Sequence, residues 1–142
     1  KKVNDGGTTI NQTYPINEFP LFLKTGAIIP MNITNNYSGI GDSTLTGKQT
    51  ILIVAGKEKT EYNYYRPTGD GIEYDSIKII YDGLKNEIVV EGNSTLEYAF
   101  IVLGSRKPTD IKNSNLWKYN ENKEELSLTK YGNTFKIKVE YL

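Results

Sequence analysis

Near its C-terminal end the chain reads Phe135-Lys136-Ile137-Lys138-Val139-Glu140-Tyr141, and this stretch decides the fold class. Phe135, Ile137, Val139 and Tyr141 fall on one side of an extended chain, while Lys136, Lys138 and Glu140 fall on the other. Successive side chains of a strand point to opposite faces, so the stretch reads as a strand with one dry and one wet face. The same alternation recurs around a turn. Ile77, Ile79 and Tyr81 alternate up to Asp82-Gly83, and Ile88 and Val90 alternate after Asn86. A connection running from Asp82 to Asn86 has a length that β-hairpins favour.

Working outward, short runs of Val, Ile, Tyr, Phe and Thr recur between clusters of Gly, Asn and Asp. Further strands are expected over 8–14, 21–24, 27–31, 50–54, 61–65, 98–103, 116–119 and 126–130. Strands this short and this evenly spaced predict an all-β chain, an antiparallel β-sandwich, with a short leading β segment from a preceding sheet. The one helical candidate, 120–125, is polar and too short to stand alone. Asn, Ser, Thr and Gly crowd 32–47, which is expected to be a linker or long loop.

Composition excludes several function classes. Lys+Arg and Asp+Glu both number 17, so the chain lacks the basic excess of a nucleic-acid footprint. No apolar run approaches the ~20 residues of a membrane-spanning helix. Neither a nucleic acid nor a membrane is expected as a partner. Cysteine and histidine are both absent. That removes Ser-His-Asp chemistry, thiolate nucleophiles and imidazole or thiolate metal sites together, and no cofactor is expected. Lack of cysteine fits a cytoplasmic or a secreted bacterial protein and does not settle the compartment.

One segment breaks the alternation. Phe19-Pro20-Leu21-Phe22-Leu23 and Ala27-Ile28-Ile29-Pro30-Met31 are apolar at successive positions. A strand with one wet face alternates; a continuous apolar run implies cover on both faces. Each Leu, Ile or Phe buried is worth ~1.5–3 kcal/mol, so several left in water would make a sticky surface. The segment therefore asks for another layer of protein, and the chain, which starts at Lys1, is expected to belong to something longer.

The same segment carries a family resemblance. Pro15-Ile16-Asn17-Glu18-Phe19-Pro20-Leu21-Phe22-Leu23-Lys24-Thr25-Gly26-Ala27-Ile28-Ile29-Pro30 resembles the post-barrel motif of glycoside hydrolase family 31, which includes α-glucosidases and α-xylosidases. Asp5-Gly6-Gly7-Thr8 resembles the Gly-Gly turn that opens the preceding strand in such enzymes, and 49–55 resembles their next strand. Gly69-Asp70-Gly71 keeps part of a Tyr-Glu-Asp-Asp-Gly motif, from which Arg66-Pro67-Thr68 departs. Beyond about residue 75 only length and strand pattern agree.

The resemblance implies that 1–33 is the end of a proximal C-terminal β-domain and 34–142 a distal C-terminal β-sandwich domain. It implies a parent that hydrolyses α-glycosidic bonds in oligosaccharides with retention, through aspartates of a TIM barrel. Those aspartate motifs do not occur here, so no catalytic residue is expected in this chain. The implied role is to buttress the barrel, with Phe19, Leu21, Phe22, Leu23, Ile28 and Ile29 packing against it.

Other constellations carry less. Asp70, Glu73 and Asp75 form the densest acidic group, but flanking glycines and polar residues favour a solvated turn over a glycosidase pair or a calcium loop. Tyr62, Tyr64, Tyr65, Tyr74 and Trp117 are candidate sugar-stacking rings, with Tyr62, Tyr64 and Trp117 the leading three. Tyrosine also simply suits half-buried strands, and that reading is favoured. The alternative function is a free-standing carbohydrate-binding β-sandwich that uses these rings on an α-linked oligosaccharide. Residues 41–48 superficially resemble a phosphate loop, yet Gln49 stands where Ser or Thr would be needed, and that reading is rejected.

Overall fold

A computed structural model of the chain describes residues 4–18, 20–31, 47–68 and 72–142. The described residues form an all-β protein with eight strands and no helix. In chain order these are β1 (Ile28–Met31), β2 (Gln49–Val54), β3 (Lys59–Pro67), β4 (Tyr74–Asp82), β5 (Glu87–Leu103), β6 (Asp110–Lys112), β7 (Leu116–Asn120) and β8 (Glu125–Glu140).

Two long strands organise the rest. The sequence reads 87–90 and 98–103 as separate strands, but they are the ends of one, β5. Likewise 126–130 and 135–140 belong to one strand, β8. β5 and β8 pair antiparallel along their lengths, and their register shifts between Glu91 and Leu96. A bulge of this kind bends a strand and adds twist. Glycine makes the bend possible on both strands: Gly132 has φ 150°, and Gly92 lies against the Asn133 backbone.

The bent pair divides the sheet into two halves. The β1 half runs β1, β2, the C-terminal part of β5, the N-terminal part of β8, then β7. The β3 half runs β3, β4, the N-terminal part of β5, the C-terminal part of β8, then β6. Their inner faces share one core. Ile51 and Ile53 of β2, Ile77 and Ile79 of β4, Phe100 of β5 and Ile137 of β8 are all fully buried or nearly so within it. Edge strands β1 and β3 draw near each other, where Thr60 Oγ1 donates to the Gly26 carbonyl at 2.7 Å. The sheet is thus nearly closed on that side.

Several expectations change. The sheet is not wholly antiparallel, because β2 pairs parallel with β5. The β3–β4 hairpin intervenes between them in the chain, and β5 crosses the bend to arrive beside β2 running the same way. β1 is not from a preceding sheet: it pairs antiparallel with β2, opposing Ile28 to Ile53. The polar stretch 120–125, too short to stand alone as a helix, forms the tight turn between β7 and β8, with Glu124 at φ 49°. Strands expected over 8–14 and 21–24 do not form, whereas β6 was not foreseen. The loop expected over 32–47 lies outside the described residues except for Gly47.

The two outer faces differ. On the β3 half the outer face carries cross-paired charges, as in Lys78 to Glu61 at 3.0 Å and Lys138 to Glu87 at 3.6 Å, around the apolar pair Ile80 and Val89. On the β1 half Leu52, Ala99 and Ile101 are buried on the outer face, with Ile29, Met31 and Leu103 packed against them. This half is apolar on both faces, as its unbroken apolar runs require.

Candidate functional site

Glycine and threonine build the mount on which the most exposed apolar residues stand. Residues 24–27 turn sharply: the Ala27 N–H donates to the Lys24 carbonyl at 3.2 Å, and Gly26 sits at φ 75°. A Cβ on Gly26 would come within 3.0 Å of both Glu58 and Thr60 side chains, so the position needs glycine for space and for conformation. The Gly26 N–H donates to the Val54 carbonyl at 2.8 Å, and Thr25 Oγ1 donates to Glu58 Oε1 at 3.0 Å. Hydrogen bonds from its own backbone N–H and from Thr25 hold the Glu58 carboxyl below the usual carboxylate range.

Directly before this anchored turn, Leu21 is 73% and Phe22 61% exposed, with Leu23 at 38%. They lie in irregular chain, not in a strand. Ile28 is buried in the shared core, and Ile29 packs on the outer apolar face of the β1 half. Phe19 lies outside the described residues. Of the six residues expected to pack against a barrel, two are therefore held by this chain's own sheet and three project from it.

The candidate sugar-stacking rings are dispersed. Tyr62 and Tyr64 share the inward side of β3; Tyr64 packs against the core, and Tyr62 is half exposed. Trp117 sits on β7, at the opposite edge of the sheet from β3. Tyr65 and Tyr74 instead meet on the outer face of the β3 half, with ring centroids 5.2 Å apart and planes at 88°.

Asp75 departs from the solvated-turn reading. It is buried, on the inward side of β4 beside Ile77, and carries two partners. Arg66 Nη1 donates to its Oδ2 at 2.5 Å, and Ser94 in the bulge of β5 donates to its Oδ1. The alternation of Ile77, Ile79 and Tyr81 extends back to Asp75 and gives the inward side, whereas Gly69 and Gly71 nearby favour a turn. Glu73 is exposed, and Asp70 lies outside the described residues. Both oxygens of the Asp75 carboxylate are thus engaged within the sheet.

Near it the Tyr98 hydroxyl is fully buried without a hydrogen-bond partner among the described residues. Burial, with the Asp75 charge second, pushes its phenol up to about 12. Among the described residues no group of three or more Asp or Glu side chains is arranged to hold a metal ion.

Taken together, the fold and surface define an all-β module with an anchored apolar projection at its N-terminal side. No family model matches the chain, and no curated protein and no solved structure is found to be similar to it.

Proposed function

We propose that this chain is a non-catalytic C-terminal β-domain of a family 31 α-glycosidase, one that buttresses the catalytic barrel. The observation that carries this reading is the exposure of Leu21 and Phe22 immediately ahead of a turn fixed by four hydrogen bonds, at Gly26 to Val54, Ala27 to Lys24, Thr25 to Glu58 and Thr60 to Gly26. Large apolar side chains held out on a rigid mount are the signature of a surface that meets another protein. Within the resemblance, these residues lie in the motif that follows the barrel, so the barrel is the layer they would meet. The two halves of the folded sheet are read as the two layers of the distal sandwich.

The parent would hydrolyse α-glycosidic bonds in oligosaccharides, and its linkage specificity would reside in barrel loops. The test uses the purified chain with an aryl α-glucoside and a hydrophobic dye. The expected result is no turnover together with dye binding that falls in Leu21→Ser/Phe22→Ser. Robust glucosidase activity of this chain would overturn the proposal.

A further inference from the structure

Edge-to-face packing of Tyr65 and Tyr74 leaves both rings mostly in water. They are 59% and 57% exposed, on the outer face of the β3 half. Two ring planes at 88° make an open corner, one ring offering its face while the other stands beside it.

Polar groups suited to an uncharged ligand adjoin the corner. Asn63 lies two residues before Tyr65 on the same side of β3, and Ser76 opposes Tyr65 on β4. Asn93 accepts the Ser76 N–H through Oδ1 at 2.8 Å, which leaves its amide nitrogen as the end available to donate. Lys78, opposite Asn63, pairs with Glu61 at 3.0 Å and faces Glu91 across on β5, so the cation beside the corner is already answered by carboxylates. An anionic ligand would find no unanswered cation in Lys78.

We propose that Tyr65 and Tyr74 form a binding corner for a neutral pyranose of an oligosaccharide. The apolar C–H face of the sugar lies on one ring, its rim abuts the other, and its hydroxyls meet the phenol oxygens, Asn63 and Asn93. Aromatic rings with a polar handle favour such half-wet partners. The corner uses none of residues 21–23, so it stands or falls separately from the docking role.

The experiment is a titration of the isotopically labelled full chain with maltotriose and with cellotriose, read by amide chemical shifts. Saturable shifts are expected around Asn63, Tyr65, Tyr74 and Ser76 with at least one of the two. Affinity should fall about tenfold or more in Tyr65→Ala or Tyr74→Ala. Trp117→Ala, at the far edge, should bind as the native chain does, and Tyr74→Phe should lose less than Tyr74→Ala. Both tyrosines are exposed, and retained dispersion of the amide spectrum reports that each variant is folded; Tyr74→Phe serves if either alanine variant is not. No saturable shift with either sugar, or binding that survives both alanine substitutions, would overturn the proposal.

Discussion

Gly92 of β5 lies against the backbone of Asn133 in β8, so closely that a Cβ on Gly92 would stand 2.9 Å from the Asn133 carbonyl oxygen. This contact sits where the long pair bends and the two halves of the sheet fold over one core. A backbone carbonyl cannot swing aside as a flexible side chain can. Gly92→Ala should therefore cost about 1–3 kcal/mol, the usual range for forcing extra atoms into a packed site. Urea denaturation measures it, with Gly6→Ala as the control because nothing lies within 4 Å of that position. An unchanged midpoint in Gly92→Ala would mean that the bend does not depend on this approach.

The ion pair of Arg66 and Asp75 joins β3 to β4 and, through Ser94, to the bulge of β5. Removing one member strands a buried carboxylate. Arg66 is 38% exposed on its side chain, so water softens the loss, and Arg66→Met should cost about 1–3 kcal/mol. Adding Asp75→Asn to Arg66→Met should recover part of that, because no charge is then left unpaired. A double-mutant cycle in urea checks this, and strictly additive losses would contradict it.

Tyr98 offers the opposite sign. Its hydroxyl is buried without a partner among the described residues, so Tyr98→Phe removes a desolvation cost and loses no hydrogen bond among them. The variant should equal or exceed the native stability by up to about 1 kcal/mol near neutral pH.

Alkaline pH sharpens the same test. The folded-state phenol of Tyr98 is raised to about 12 from the ordinary ~10, so above pH ~10 the unfolded chain loses this proton first. Stability contributed by the protonated phenol is complete below that ordinary value and lost as pH climbs toward 12. Midpoints of the native chain should fall faster than those of Tyr98→Phe between these limits. Parallel curves would contradict the assigned burial.

Much of the sheet was legible because its inward faces alternate strictly. Phe135, Ile137 and Val139, and Ile77, Ile79 and Tyr81, are buried as their period predicts. Joining strands was not legible. Gly92 and Gly132 read as breaks in a sequence, and only the partner strand shows that each is a bend within a continuous ladder. The parallel β2–β5 pair was hidden too, since local alternation says nothing about direction. Doubly apolar β1 finds partners within this chain's own sheet, with Ile28 in the shared core and Ile29 and Met31 against the outer apolar cluster. Tyr65 and Tyr74 come together only through the β3–β4 register, which opposes Tyr65 to Ser76 and leaves Tyr74 diagonal to it.

Leu21 and Phe22 should matter little to this chain alone. Replacing both by serine should leave the urea midpoint within about 0.5 kcal/mol of native, as for other exposed positions. A large destabilisation would mean that they pack within the module and are not a docking surface.

The central claim, that this module buttresses a catalytic barrel, is tested most directly by the intact mass of the protein in its native source. A (β/α)8 barrel adds about 250 residues, so the account predicts a single polypeptide several times the 16.0 kDa of this chain. A native species of 16.0 kDa would contradict it.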